Sequence, residues 1–98
     1  MNVNKIQDGK NVTFEVEGRL DTITAPDMDE QLNEVIDDVE NITFDFKNLE
    51  YISSAGLRIL LNTHKELGKR GTMKILNANE DIMEIFELTG FDNIFTIV

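Results

Sequence analysis

The sequence predicts one α/β domain, built from a mixed β-sheet and three helices that lie mainly on one face of the sheet. Segments with apolar residues at every second position alternate with segments in which apolar residues recur every three or four positions. Helices between the later strands favour parallel strands joined by right-handed crossovers. Polar residues at alternate positions of the central strands indicate that the other sheet face stays partly open.

The first two strands form a predicted hairpin. Residues 3–7 make the first strand, and residues 11–18 make the second, in which apolar and polar residues alternate. Asp8 and Gly9 between them form the Asp-Gly pair that is typical of a tight hairpin turn. The two strands are therefore expected to run antiparallel.

The first helix is predicted to begin at Thr24 and to end near Asp38. Thr24 can cap the helix, Pro26 suits the first turn because proline lacks an N–H, and Asp27 lies near the positive end of the helix dipole. One face of this helix is apolar and the other is strongly acidic. Apolar and polar residues alternate again over residues 42–47, which predicts the third strand.

Two further helices follow, and each has a predicted cap. Ser53 is the expected N-cap of the second helix, which Gly68 and Gly71 close. Asn79 is the expected cap of the third helix, and Gly90 is placed to end it. The last two predicted strands are short and lie at residues 73–76 and 94–98.

The charge balance favours a protein partner. Nine Lys and Arg residues stand against 19 Asp and Glu residues, a formal net charge of -10, and such a field repels phosphate backbones and anionic lipid headgroups. Neither direct nucleic-acid binding nor membrane insertion is expected; an acidic domain suits a basic patch on another protein, although the charge can also serve solubility alone. The lack of cysteine, of a long apolar run and of a signal-peptide pattern predicts a cytoplasmic protein.

The most informative motif is a pair of hydroxyls, Ser53 and Ser54, at a junction between strand and helix. The N-terminus of a helix offers unpaired N–H groups and a positive dipole end, so a phosphate on Ser54 could be accommodated there. A Ser-Ser pair at this position is also ordinary helix capping. The residues alone leave both interpretations open.

A serine hydrolase is an alternative of another class. Activation of Ser54 would require a base, and the only histidine, His64, lies ten residues later on the same predicted helix, about 15 Å along its axis. That separation is too large for proton transfer, so we do not expect an enzyme. Acidic residues at 27–30 and 37–40 lack a metal-binding pattern, and neither a metal site nor a cofactor is expected.

Three segments together resemble a known family. Residues 44–57, which read FDFKNLEYISSAGL, resemble the signature of the STAS domain, in particular of the single-domain anti-sigma factor antagonists of bacteria. Residues 18–21 followed by Ala25 resemble the family's Gly-x-Leu-Asp-x-x-x-Ala segment, and residues 88–91 resemble its closing Leu-x-Gly-Leu/Phe turn. The matches fall in the family's order, so a single STAS domain spanning residues 1–98 is expected.

The resemblance implies a phosphorylation switch. An unmodified antagonist binds a serine kinase anti-sigma factor and frees the sigma factor, phosphorylation breaks that complex, and a PP2C-type phosphatase is the other implied partner. The modified hydroxyl of the family matches Ser54, with Ser53 in place of the common Asp and Ala55 in place of a second hydroxyl.

The same resemblance implies where partners bind. Asp21 matches a loop position that faces the kinase, and the expected partner-binding residues are Asp21, Ser53, Ser54 and Gly56. Within the same fold, the alternative function is a STAS subunit of a transporter or signalling assembly that docks without phosphorylation.

Overall fold

The computed structural model describes residues 1–98 and contains a six-stranded sheet with three α-helices. In chain order the elements are β1 (Asn2–Asp8), β2 (Asn11–Leu20), α1 (Ala25–Val35), β3 (Asn41–Asp45), β4 (Leu49–Ile52), α2 (Ser54–Leu67), β5 (Thr72–Leu76), α3 (Glu80–Thr89), a short 3₁₀ helix (Phe91–Asn93) and β6 (Thr96–Ile97). None of the helices has the length and apolar character that a membrane span requires.

The sheet is mixed, as predicted. β1 pairs antiparallel with β2 through the predicted hairpin, in which Gly9 adopts a φ of 61° that suits the tight turn. β2, β3, β5 and β6 run parallel, and the strand order is β1-β2-β3-β5-β6. The predicted parallel crossovers are therefore confirmed.

One face of the sheet carries the core. Every second side chain of β2, β3 and β5 is buried, and the rings of Phe14 and Phe44 stack with their centroids 5.9 Å apart. The alternate positions are exposed, as at Glu15 and Lys74, or half-buried, as at Thr43. The helices add their apolar faces to a single cluster of 23 buried residues, which confirms the expected one-sided cover.

The sequence pattern does not predict β4. Only the two ends of this four-residue strand, Leu49 and Ile52, are buried, so apolar residues do not alternate along it. β4 pairs parallel with the end of β2 after a register shift at Gly18. This pairing extends the sheet beside the end of β2, and it brings the residues that follow both strands together.

Two predicted boundaries are wrong. α1 ends at Val35 rather than near Asp38, because a turn after the helix directs Val39 into the core. The last strand contains only two residues, because the 3₁₀ helix occupies the preceding segment and buries Phe95 against the rings of Phe86 and Phe91.

Candidate functional site

The loop between β2 and α1 is organised by Asp21. Its Oδ1 atom accepts hydrogen bonds from the backbone N–H groups of Ile23 at 3.0 Å and Thr24 at 3.1 Å. Thr24 stands at the N-cap position of α1 but forms no side-chain cap bond, contrary to the prediction. Its hydroxyl instead accepts from the Asp21 N–H and donates to the Arg19 carbonyl, both at 2.9 Å.

The environment of Asp21 favours its ionised form. The hydrogen bond from the Thr24 N–H lowers the pKa of the Asp21 carboxyl, and it outweighs the opposing effect of partial desolvation. Bonds from the Ile23 N–H and the Thr24 hydroxyl, and the charge of Arg19, act in the same direction. Arg19 Nε lies 3.6 Å from Asp21 Oδ2, and the Arg19 guanidinium lies 4.5 Å from the centroid of the Tyr51 ring. Asp21 is therefore a fixed negative charge at this end of the sheet.

The turn between β4 and α2 lies beside the Asp21 loop, because β2 and β4 are parallel neighbours. The Ser53 N–H donates to the Leu20 carbonyl at 2.9 Å. Ser53 is the N-cap of α2, as predicted, and its Oγ accepts a long hydrogen bond of 3.5 Å from the Gly56 N–H. Ser54 is the first residue of α2, is exposed, and its hydroxyl has no hydrogen-bond partner.

Gly56 lies beneath this turn. It is buried, and a Cβ added there would lie 2.7 Å from Ile52 Cγ1 and 2.9 Å from Leu20 Cγ. Such distances are too short for real Cβ contacts, so glycine permits the close approach of α2 to the end of β2. Gly56 contributes the shape of the turn and no side chain, whereas Ser54 is exposed and Asp21 and Ser53 are half-buried.

The sequence pattern does not predict a groove of about 390 Å³ on the other side of Ser54. It lies between α2 and the end of α3 and is lined by Ser54, Leu57, Arg58, Leu61, Thr89 and Phe91. Helical periodicity places Leu57 and Leu61 on a core stripe, but it cannot show that this stripe reaches the surface at one edge.

Two exposed apolar side chains also lie in the elements that form this end of the molecule. Ile23 in the Asp21 loop is 86% exposed, and Leu88 in α3 is 80% exposed. In the sequence, Ile23 precedes the first helix and Leu88 lies off the apolar stripe of the third helix, and these positions could have indicated that both side chains are exposed. Apolar groups therefore accompany the polar residues of the candidate site.

His64 lies towards the other end of α2. Its ring meets the ring of Phe95 in an edge-to-face arrangement, with the centroids 6.1 Å apart. The structure thus gives Ser54 no histidine base.

Asp21 offers a test of this geometry. Asp21→Asn keeps an oxygen that accepts the two backbone N–H bonds, whereas Asp21→Ala removes it, so we expect Asp21→Ala to be the less stable variant. The pKa of Asp21 is lowered from the usual 3.8 in the folded protein. Its charge therefore contributes stability above that pH, and the contribution is lost as the pH falls through the lower folded value.

Urea unfolding from pH 7 down to pH 2.5 would measure both effects. The wild type should have a higher free energy of unfolding than Asp21→Asn at pH 7. This difference should shrink below about pH 4, where the Asp21 carboxyl of the unfolded chain becomes protonated. Identical pH profiles for these two proteins would contradict the assigned role of the carboxylate.

Comparison with known proteins identifies the family. The STAS domain model matches residues 2–98. The chain is 26% identical over 98 residues to the anti-sigma-B factor antagonist of Bacillus subtilis (strain 168), covering 99% of this chain and 90% of that protein. A crystal structure of an anti-sigma factor antagonist from Mycobacterium paratuberculosis is similar with a TM-score of 0.88 at 25% identity, over 98% of this chain and 83% of that one.

The fold is also that of the anti-sigma factor antagonist SpoIIAA of Bacillus. Its unphosphorylated form gives a TM-score of 0.79 at 18% identity, over 99% of this chain and 87% of that chain. Its phosphorylated form gives a TM-score of 0.78 at 19% identity, over 99% of this chain and 91% of that chain. Because the STAS model matches nearly every residue, and because the mixed sheet and three helices are those of these structures, the chain belongs to the STAS domain family.

Proposed function

We propose that this protein is an anti-sigma factor antagonist, a regulatory module that binds a serine kinase anti-sigma factor and is switched off by phosphorylation of Ser54. The observation that carries the proposal is the exposed hydroxyl of Ser54 in the first position of α2, beside the charged Asp21 loop. Family membership and the names of the relatives from Bacillus subtilis and Mycobacterium paratuberculosis support the same function.

The charges explain how such a switch can work. The chain has a formal net charge of -10, and the ionised Asp21 suits a basic surface on the kinase. Transfer of the γ-phosphoryl group of ATP forms a bond between the γ-phosphorus and Ser54 Oγ and breaks the bond to the β,γ-bridging oxygen, so ADP leaves and the hydroxyl proton passes to a base of the kinase or to water. The product adds about -1.5 to -2 charges within the contact. A close-packed partner surface would then lose both its fit and its charge complementarity.

The two substitutions within the motif are compatible with this role. Ser53 stands where the family commonly has Asp, and it still supplies the oxygen that caps α2. Ala55 stands where the family has a second hydroxyl, which leaves Ser54 as the single hydroxyl in the first turn of α2. A PP2C-type phosphatase would remove the phosphate and restore binding.

Incubation with the cognate kinase and ATP should add one phosphate, at Ser54. Ser54→Ala should abolish the transfer, and intact-mass measurement with peptide fragmentation would locate the phosphate. Ser53→Ala removes the neighbouring hydroxyl; because Ser53 is an expected kinase contact, transfer can be slower in this variant, but its phosphate should still map to Ser54. This substitution should cost about 0.5–1 kcal/mol of unfolding free energy, the lower part of the usual range for a lost cap, because the bond to the Gly56 N–H is long.

Two outcomes would contradict the proposal. A phosphate mapped to Ser53 would move the switch to another residue. Tight binding of a partner protein with no transfer to Ser54 would favour the STAS subunit of a transporter or signalling assembly, which docks without phosphorylation.

A further inference from the structure

Arg58 is an unpaired cation one helical turn after Ser54. It is exposed, it has no carboxylate within 4.0 Å, and its side chain donates no hydrogen bond. Residues four apart on a helix lie on the same side, with Cβ atoms about 5–6 Å apart. Ser54 and Arg58 accordingly line the same groove between α2 and α3, where Arg58 is the only charged residue.

No acidic group forms an ion pair with Arg58. Asp21 is close to Arg19, and Glu50 lines a different groove together with Lys47. Asp29 lines the neighbouring groove between α1 and α2 that Arg58 also borders, but the two side chains do not form an ion pair. The guanidinium is therefore available to a new anion at position 54.

We propose that Arg58 binds the phosphate of phosphorylated Ser54 and is a positioning residue of the switch. This inference rests on the proposed function, since it concerns the same modified hydroxyl. A guanidinium presents a planar fork of N–H donors that matches two phosphate oxygens, and such charge-assisted bonds are among the stronger ones in proteins.

The contact would decide where the phosphate lies. Without Arg58, only the exposed N-terminus of α2 would favour the phosphate on Ser54, and repulsion within a chain of net charge -10 would direct the phosphate towards solvent. Binding to Arg58 would draw it along α2, over the mouth of the groove that Leu57 and Leu61 line. The modified side chain would then cover apolar surface as well as add charge, and partner release would follow from both effects.

The test uses protein with phosphoserine incorporated at position 54 during translation, so no kinase is required. Phosphorus NMR would follow the second pKa of the phosphate, which is about 6 for a free phosphoserine. A guanidinium contact favours the dianion and lowers this pKa. We expect a higher pKa in Arg58→Gln than in the wild type, and a difference that shrinks at 1 M salt because exposed charges are screened.

Lys65→Gln is the matched control, since it removes the same charge from an exposed position of α2 eleven residues after Ser54. It should leave the phosphate pKa close to that of the wild type. Phosphorylation should also raise the melting temperature more in the wild type than in Arg58→Gln, and this gain should diminish as the pH falls through the phosphate pKa.

Equal phosphate pKa values in the wild type and Arg58→Gln would overturn the contact, even if the kinase modifies Ser54. Equal changes of the phosphate pKa in Arg58→Gln and Lys65→Gln would also overturn the contact, because the loss of one positive charge anywhere on α2 would then explain the change. Failure of the kinase to modify Ser54 would instead defeat the proposed function, and the NMR result would still decide the contact.

Discussion

Replacement of Gly71 by alanine should destabilise the domain by about 3 kcal/mol or more. A Cβ at this position would lie 1.5 Å from the Glu40 carbonyl oxygen and 2.5 Å from its carbon. Overpacking against flexible side chains costs about 1–3 kcal/mol, and here the obstacle is backbone that cannot rotate away. The Thr72 N–H donates to the same carbonyl at 2.9 Å, so relief of the clash would break the hydrogen bond between the first residue of β5 and the residue that precedes β3.

Urea unfolding of Gly71→Ala beside Gly68→Ala would measure this effect. Gly68 is three residues earlier, has the right-handed helical φ of -55°, and its added Cβ would lie 3.1 Å from the His64 carbonyl. We expect the free energy of unfolding to change by no more than about 1 kcal/mol in Gly68→Ala, because alanine readily adopts this backbone conformation. A comparable, small loss for Gly71→Ala would mean that β3 and β5 approach each other less closely than the structure indicates.

Gly71 illustrates what a local pattern can and cannot predict about the fold. The hairpin at Asp8 and Gly9 and the cap at Ser53 follow from neighbouring residues, and the structure has both. A glycine after a helix is locally a helix terminator, and that was the prediction for Gly71. Glycine is required at this position because a Cβ would collide with the backbone of Glu40, which is 31 positions away in the sequence. β4 was missed for a related reason, since its place beside β2 depends on long-range pairing and not on alternation.

The sequence likewise predicts only part of the candidate site. Ser53 and Ser54 could be placed from capping chemistry, and the family resemblance pointed to Asp21. The bonds by which Asp21 organises its own loop, and the availability of Arg58, depend on neighbours that only the folded chain defines. The groove beside Ser54 likewise requires α2 and α3 to meet, which no periodicity within one helix can show.

Ser54→Asp should lower the affinity for the anti-sigma factor by about 100-fold or more, while the fold stays intact. Like charges or unmatched charges forced together across a close-packed interface cost several kcal/mol, and each 1.4 kcal/mol is a factor of ten in the dissociation constant. The fold should tolerate the change because Ser54 is exposed, its hydroxyl has no hydrogen-bond partner, and a negative charge is favourable in the first turn of a helix.

Ser54→Asn separates charge from shape, because asparagine has nearly the size of aspartate and no charge. Calorimetric titration with the anti-sigma factor should show a much smaller loss for Ser54→Asn than for Ser54→Asp, whereas circular dichroism and urea unfolding should be similar for both variants and the wild type. An equal loss of affinity in the two variants would indicate that steric fit, rather than charge, breaks the complex. A loss of helical signal or a melting temperature lowered by tens of degrees in Ser54→Asp would indicate a conformational switch, because the added charge would then be acting on α2 itself rather than on the interface.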